Sequence, residues 1–185
     1  CILLLHRKTE YYPHLKSILI YPHAYVARGV TRFQDGIPLV QDEARAGESW
    51  GMGTLVLSWE DVKRSAGDIH DGHNVVLHEF AHQLDEEDGA ADGAPRLPKR
   101  SMYVAWARVL SREYEQLLRD IEHHRRNVID AYGATNPAEF FAVVTECFFD
   151  KPVQIKKKHP ELYEQLMLFF RQDPETLARK QRGAA

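Results

Sequence analysis

The first part of the chain contains two short runs of consecutive apolar residues. Ser17–Tyr21 (SILIY) and 54–57 (TLVL) are rich in aliphatic and β-branched residues, which is typical of strands. The first run breaks at a proline and resumes at 24–26. The glycine-rich stretch 47–53 lacks the spacing of a phosphate-binding loop and predicts a turn between strands. We therefore expect a small sheet within about residues 15–60.

After residue 58 the apolar positions recur every three or four residues, which is the spacing of amphipathic helices. Ser58, with Asp61 three residues later, can cap a short helix that ends near residue 66. Capping residues and prolines bound the helices that follow. Their predicted spans are 75–86 with Asp71 or Asn74 as the cap, 102–126, 137–149 with Asn136 as the cap and Pro152 as the stop, and 160–171. The polar tail 172–185 is expected to fray.

The helix at 75–86 contains the pattern H-E-x-x-H. With 3.6 residues per turn, His78 and His82 stand one above the other, while Glu79 lies about 100° round the axis. We expect an apolar ridge to bury another side of this helix, formed by Val76, Phe80 and Leu84. Two imidazoles on one face can hold a metal ion, and the glutamate can then reach a bound water. The pattern indicates a hydrolytic metal site; the alternative is a pair of hydrogen-bonded core histidines.

A catalytic zinc site usually has three protein ligands and one open position, so two histidines do not complete it. The helix that begins at Pro137 offers Glu139 and Glu146 within an otherwise apolar stretch. A buried carboxylate is costly unless it is paired or binds a metal, so each glutamate requires a partner. They lie seven residues apart on one face, about 10 Å from each other along the axis. The residues alone leave the third ligand open between these glutamates and a further histidine.

Composition narrows the classes of function. The chain has 185 residues, of which 44% are hydrophobic, and this predicts one core and a single domain, 1–185. A net charge of −3 and a pI near 6.4 argue against direct binding to nucleic acid. Two cysteines, Cys1 and Cys147, are too few for a disulfide framework and favour the cytoplasm. The apolar run at 1–5 is too short for a membrane span or a signal peptide.

Two sequence blocks carry a family resemblance. HEFAHQLD at 78–85 and YGATNPAEFFA at 132–142 resemble the Mlc titration factor A family of bacterial zinc peptidases. The same blocks resemble the catalytic domain of anthrax lethal factor. GESW at 47–50 and LSWEDV at 57–62 are also similar to the titration-factor family, so that resemblance covers roughly residues 15–172. The titration-factor family also has an N-terminal portion that we expect to be missing from this chain, which begins without Met.

The resemblance implies a zincin-like α+β fold with one zinc ion per chain. It implies that Glu139 is the third zinc ligand and that Tyr132 assists catalysis. Where lethal factor has a second glutamate four residues after this ligand, the chain has Val143, so a supporting role there is absent or passes to Glu146. The family further implies aminopeptidase-like hydrolysis of a peptide substrate. It also implies binding to Mlc, the repressor of glucose-phosphotransferase genes.

The hypothesis from sequence is thus a zinc metallopeptidase in which Glu79 is the general base and Tyr132 stabilises the oxyanion. Asp85 either orients a histidine through its second ring nitrogen or is a solvated residue at the helix end. A different class of function is a regulatory protein that titrates a transcription factor with little proteolysis. A deformylase-like amidase is a third reading, but it would need a cysteine ligand upstream, and Cys1 is a poor candidate.

Overall fold

Helices and strands are mixed in the fold, and this confirms the α+β class. The computed structural model describes the backbone of residues 1–6, 12–23, 25–34, 37–45, 47–50, 53–68 and 71–183, and the side chains of 1–6, 12–23, 53–68 and 71–180. The strands are β1 (Ser17–Tyr21), β2 (Tyr25–Gln34), β3 (Ile37–Arg45), β4 (Gly47–Trp50) and β5 (Thr54–Ser58). The helices are α1 (Trp59–Gly67), α2 (Val75–Asp85), α3 (Met102–Glu122), α4 (Pro137–Asp150), α5 (Pro152–Lys158), α6 (Pro160–Phe170) and α7 (Pro174–Gly183).

The strands form a three-stranded mixed sheet and a separate hairpin. The order in the sheet is β1-β5-β4, where β5 is parallel to β1 and antiparallel to β4. The hairpin pairs β2 with β3 and carries a register shift between Ala27 and Val30. The prediction of a turn throughout 47–53 is wrong for Gly47–Trp50, because these residues pair with β5 as an edge strand. Ala24, Gly51 and Met52, which also belong to predicted elements, lie outside the described residues.

Most predicted helix boundaries are confirmed, because local capping chemistry sets them. The side chains of Ser58, Asn74 and Asn136 each accept a hydrogen bond from the backbone amide three residues later. The predicted end of α4 is confirmed, and Pro152 then begins α5 rather than a loop. The polar tail was wrongly expected to fray throughout, since it forms α7, whose Glu175 accepts a hydrogen bond from Lys156 on α5.

The hydrophobic core lies mainly among the helices. Helix α4 runs through it, with ten of its residues buried between α2, α3 and α6. Trp106 of α3 packs its ring against Phe141 of α4 and Phe169 of α6, at centroid distances of 5.9 and 5.3 Å. Among the described residues, no helix is both long enough and apolar enough to cross a membrane. The core thus fixes α4 from several sides.

The buried side of α2 differs from the predicted ridge. Leu77, Ala81 and Leu84 are buried, whereas Val76 and Phe80 are only partly covered. Phe80 instead packs beside Tyr12, with a distance of 4.9 Å between ring centroids. The prediction was wrong because α2 contacts the sheet and α4 on different sides, so a single ridge does not describe its environment.

Candidate metal centre

Two capped helices bring the predicted ligands together. The cap of α2 fixes its first turn, so that His78 and His82 face α4 one turn apart. The cap of α4 places the backbone of Glu139 in the first turn, where its amide donates to Asn136. Its side chain is then directed toward both histidines. The ligand set therefore depends on how these two helices pack, because the candidate ligands lie about sixty residues apart in sequence.

Three ligand atoms converge at this contact. His78 Nε2 lies 3.2 Å from His82 Nε2 and 3.0 Å from Glu139 Oε2, and the remaining separation, from His82 Nε2 to Glu139 Oε2, is 3.3 Å. A tetrahedral zinc ion with ligands at about 2.0–2.1 Å would hold them about 3.3 Å apart. The donor set therefore fits zinc in both chemistry and spacing. Within the described part of the chain, it is the only cluster of three His, Cys, Asp or Glu ligands that could hold a metal ion.

Glu146 contacts the opposite edge of the same imidazole. Its Oε1 lies 2.7 Å from His78 Nδ1, and its other oxygen accepts a hydrogen bond from the backbone amide of Asn74. Glu139 and Glu146, which lie seven residues apart on α4, thus contact opposite edges of the same His78 ring. This arrangement fixes the orientation and tautomer of an imidazole that offers Nε2 to a metal. The sequence raised Glu146 as a candidate but carried no signal for which histidine it would contact.

The charges in the cluster are strongly coupled. Burial alone would lower the pKa of His78, but hydrogen bonds to Glu139 and Glu146 raise it to about 10. Burial would likewise raise the pKa of Glu139, but hydrogen bonds from His78 and His82 lower it to about 2. In the metal-free protein a protonated His78 therefore pairs with the glutamates. Binding of a metal ion must displace that proton, because only the neutral ring can coordinate.

Glu79 and Tyr132 lie beside the cluster at different depths. Glu79 follows His78 on α2, is 6% exposed, and contributes to raising the pKa of that histidine. The ring of Tyr132 lies 5.9 Å from the ring of His78, but the residue is 55% exposed. The Asp130 side chain accepts a hydrogen bond from the Tyr132 amide and so fixes the short 3-10 turn at Ala131–Ala134. The structure thus has a buried acid and an exposed phenol next to the ligands.

Asp85 connects the end of α2 to the loop that follows. It is fully buried, so the interpretation as a solvated helix end is wrong. One carboxylate oxygen accepts a hydrogen bond from the Gly93 amide at 2.9 Å, while the other has no hydrogen-bond partner among the described residues. Burial raises the pKa of Asp85 to about 6 although the Gly93 amide opposes this. Asp85 makes no hydrogen bond or ion pair with a histidine among the described residues, and its hydrogen bond from Gly93 holds the loop instead.

Gly93 holds α2 and α4 at a fixed separation. Its φ of +78° suits glycine, and an added Cβ would lie 2.4 Å from the carbonyl oxygen of Pro137, the first residue of α4. Its own carbonyl accepts a hydrogen bond from the Trp106 indole at 3.1 Å. The backbone at Gly93 therefore contacts the start of the helix that carries Glu139 and the end of the helix that carries the histidines.

Comparison with known proteins defines the class to which this site belongs. Residues 1–171 match the family model described as glucose-regulated metallo-peptidase M90. The chain is 39% identical over 171 residues to Mlc titration factor A of Serratia proteamaculans, and 34% identical over 179 residues to Mlc titration factor A of Escherichia coli. An uncharacterised protein of Synechocystis sp. is 44% identical over 175 residues. These alignments cover 90%, 94% and 94% of this chain, respectively.

The site and the fold are thus those of a metallopeptidase-related protein. The chain belongs to the glucose-regulated metallo-peptidase M90 family, which contains the Mlc titration factor A proteins, as the two sequence blocks indicated. A metal ion is implied by this membership, and the His-His-Glu cluster is a possible place for it. The chain spans 63%, 66% and 64% of the lengths of the Serratia, Escherichia and Synechocystis relatives.

Proposed function

We propose that this chain is the catalytic region of a zinc-dependent peptidase with a zincin-like fold. The observation that supports this most directly is the convergence of His78 Nε2, His82 Nε2 and Glu139 Oε2, which lie 3.0–3.3 Å from one another. A buried glutamate follows the first of these ligands, as peptide hydrolysis requires. A structural zinc site, by contrast, is closed by four protein ligands and needs no base.

Each residue near the cluster has a defined task in this proposal. A bound zinc ion would acidify water and polarise the carbonyl of the scissile bond. Glu79 accepts a proton from the attacking water and then donates it to the leaving amine. Tyr132 donates a hydrogen bond to the oxyanion of the tetrahedral intermediate, which its exposed position at the rim allows. Glu146 holds the His78 ring in the orientation that leaves Nε2 for the metal.

The substrate class follows from the family rather than from side-chain geometry. We propose aminopeptidase-like cleavage of short peptides in the cytoplasm, together with binding of an Mlc-like repressor. The second part is supported by the names of the Serratia and Escherichia relatives, which are Mlc titration factors. Both parts are proposals for the whole protein, of which the chain spans about two thirds by comparison with these relatives.

Replacement of Glu79 by Gln tests the peptidase proposal. We expect hydrolysis of chromogenic aminoacyl and short peptide substrates to fall at least about 100-fold, since general-base catalysis contributes about 10²–10⁴-fold. Bound zinc, measured by elemental analysis, should stay stoichiometric. Glu164→Gln on the exposed face of α6 makes the same chemical change away from the cluster and should leave both quantities unchanged. Full turnover by the zinc-loaded Glu79→Gln variant would exclude Glu79 as the base.

A second function, binding of a repressor with little proteolysis, is favoured by the names of the relatives. A pull-down with purified Mlc repressor, using the wild type and the Glu79→Gln variant, separates the two functions. Equal binding by both proteins with no measurable turnover of any peptide by the wild type would favour the regulatory function. Turnover by the wild type without repressor binding would favour the peptidase alone.

A further inference from the structure

A polar cavity lies apart from the metal centre. Its volume is about 610 Å³, and it lies between the C-terminal half of α3, the segment that follows this helix, and the junction of α5 and α6. Three of the residues that line it carry a fixed positive charge, namely Arg112, Arg126 and Lys158. None of the metal ligands lines it. The volume lies within the range of about 300–1,000 Å³ that is typical of small-molecule sites.

The two acids in the wall of this cavity already have donors. Glu113 lies 2.7 Å from the ring of His159 and accepts a hydrogen bond from Arg112 at 2.9 Å. Asp120 accepts hydrogen bonds from the side-chain amides of Gln116 and Asn127, both at 2.8 Å. Asp120 also lies 4.0 Å from the guanidinium of Arg125, so each of the two carboxylates is paired with an arginine. The cavity is therefore a poor site for a cation.

A buried histidine forms part of the wall of the cavity. His159 is 8% exposed; its Nδ1 faces Glu113, and its Nε2 lies 3.1 Å from Asn127 Oδ1. That oxygen also accepts a hydrogen bond from the Ile129 amide, and it can only accept. Both ring nitrogens thus face acceptor oxygens, and these contacts fix the ring within the wall. Helix α6, with the positive end of its dipole, begins at the next residue and has no side-chain cap.

The remaining two cations have no partner in the described structure. Arg126 and Lys158 are exposed and line the cavity, and neither makes an ion pair or a hydrogen bond with any described residue. Arg112, in contrast, donates to both Glu113 and Glu161. The cavity thus combines satisfied acids with two unpaired cations. An anion with several acceptor oxygens would complete this arrangement.

We propose that this cavity binds the phosphate group of a small phosphate monoester, with Arg126 and Lys158 as its direct donors. A dianionic phosphate matches two unpaired cations, and the planar guanidinium can donate two parallel hydrogen bonds to it. The remaining volume accommodates the organic part of the ligand. Glu113, Asn127 and His159 form the rigid wall behind the site. The binding is independent of peptide hydrolysis and can be measured without turnover.

Calorimetric titration with glycerol 3-phosphate and with inorganic phosphate tests this site, with glycerol and added chloride as controls. The test protein is the Arg126→Gln/Lys158→Gln double variant. Its matched control is Arg100→Gln/Lys157→Gln, which removes the same charge at two exposed positions outside the lining. All four positions are exposed, so we expect both variants to fold, as circular dichroism would verify.

We expect the wild type and the control variant to bind glycerol 3-phosphate equally, and the test variant to bind it at least about tenfold more weakly, since a hydrogen bond to a charged group contributes about 1.5–3 kcal/mol. Binding of all proteins should weaken as ionic strength rises. Equal loss in both double variants would show a general charge effect and overturn the site. The proposal would also be overturned if the wild type did not bind glycerol 3-phosphate at concentrations up to about 10 mM. It would likewise be overturned if the wild type bound inorganic phosphate but not the monoester.

Discussion

Two histidines of this protein that are largely covered have similar partners but very different surroundings. His78 and His159 each contact a glutamate through Nδ1, at 2.7 Å in both cases. At Nε2 they differ. The Nε2 atom of His78 lies near the imidazole of His82 and the carboxylate of Glu139. The Nε2 atom of His159 lies near the side-chain oxygen of Asn127, which also accepts a hydrogen bond from the Ile129 backbone amide. A histidine–glutamate contact therefore does not by itself define a metal site.

The decisive difference is convergence of ligand atoms. At His78 the ligand atoms of His78, His82 and Glu139 lie close enough to bind one ion. Binding of that ion would compensate the free-energy cost of burying these polar groups. At His159 the two facing residues, Glu113 and Asn127, also accept hydrogen bonds from Arg112 and from the Ile129 amide, and among the described residues no three ligand atoms converge there. With neutral histidines, the three ligand atoms at His78 need a metal ion as their common partner. At His159 both ring nitrogens already have oxygen partners, so no metal ion is needed. The following predictions test this contrast.

The largest effect is expected for Glu139→Ala. Loss of a group that supports a ligand from behind already weakens metal binding about 10–100-fold, so loss of a direct ligand should weaken it more than about 100-fold. Competition with a chromogenic zinc chelator measures this affinity. Glu113→Ala is the matched variant at the other histidine and should retain wild-type zinc affinity. Stoichiometric, tight zinc in Glu139→Ala would place the third ligand elsewhere.

A smaller effect is expected for Glu146→Gln. The amide keeps only one of the two oxygens that contact His78 Nδ1 and the Asn74 backbone amide, and it lacks the charge that makes the imidazole a stronger ligand. Zinc affinity should fall about 10–100-fold, with the fold intact by circular dichroism. If the affinity were unchanged, the contact between Glu146 and His78 would be structural only.

Asp85 tests what happens when a buried carboxylate has too few partners. Its pKa is raised from 3.8 to about 6, so the folded state holds its proton more tightly than the unfolded state. The metal-free protein should therefore lose stability as pH rises from about 4 to 6, and this loss should persist above pH 6. We expect Asp85→Asn, which still accepts from Gly93, to be more stable than the wild type by on the order of 2 kcal/mol at pH 7.5.

Urea unfolding of chelator-treated protein at several pH values measures this difference. The advantage of Asp85→Asn should vanish below about pH 4, where both states of the wild type are protonated. Glu164→Gln, which makes the same change from carboxylate to amide at an exposed position of α6, serves as the control and should follow the wild type. An Asp85→Asn variant that is less stable at every pH would contradict the assignment of Asp85 as a costly buried acid.

The smallest effect is expected for Glu113→Gln. A hydrogen bond from His159 lowers the pKa of Glu113, and the bond from Arg112 adds to this against the effect of burial. Its contribution to stability is therefore present above its ordinary pKa of 4.5 and is lost as pH falls through the lower value in the folded state. Thermal unfolding should show a loss of about 1–2 kcal/mol near neutral pH and a flatter acid limb, with zinc affinity unchanged.

The sequence predicted the local parts of this protein well, because local chemistry determines them. Capping by Ser58, Asn74 and Asn136 requires only residues three positions apart, and the stacking of His78 on His82 requires residues four positions apart. Edge strand β4 was not predicted, since its pairing with β5 depends on a partner and not on its own glycine-rich sequence. The buried side of α2 could not be predicted from its own sequence either, because several other elements pack against this helix.

What the sequence by itself determined was therefore the class of protein, the capped helices and the short list of residues able to bind a metal. Only the tertiary structure decided which of these atoms meet. Packing of α4 against α2, held apart at Gly93, brings Glu139 and Glu146 to opposite edges of one imidazole. The same kind of long-range packing brings His159 to Glu113 and Asn127. Contacts across 30 to 70 residues depend on how helices pack, which no local spacing encodes.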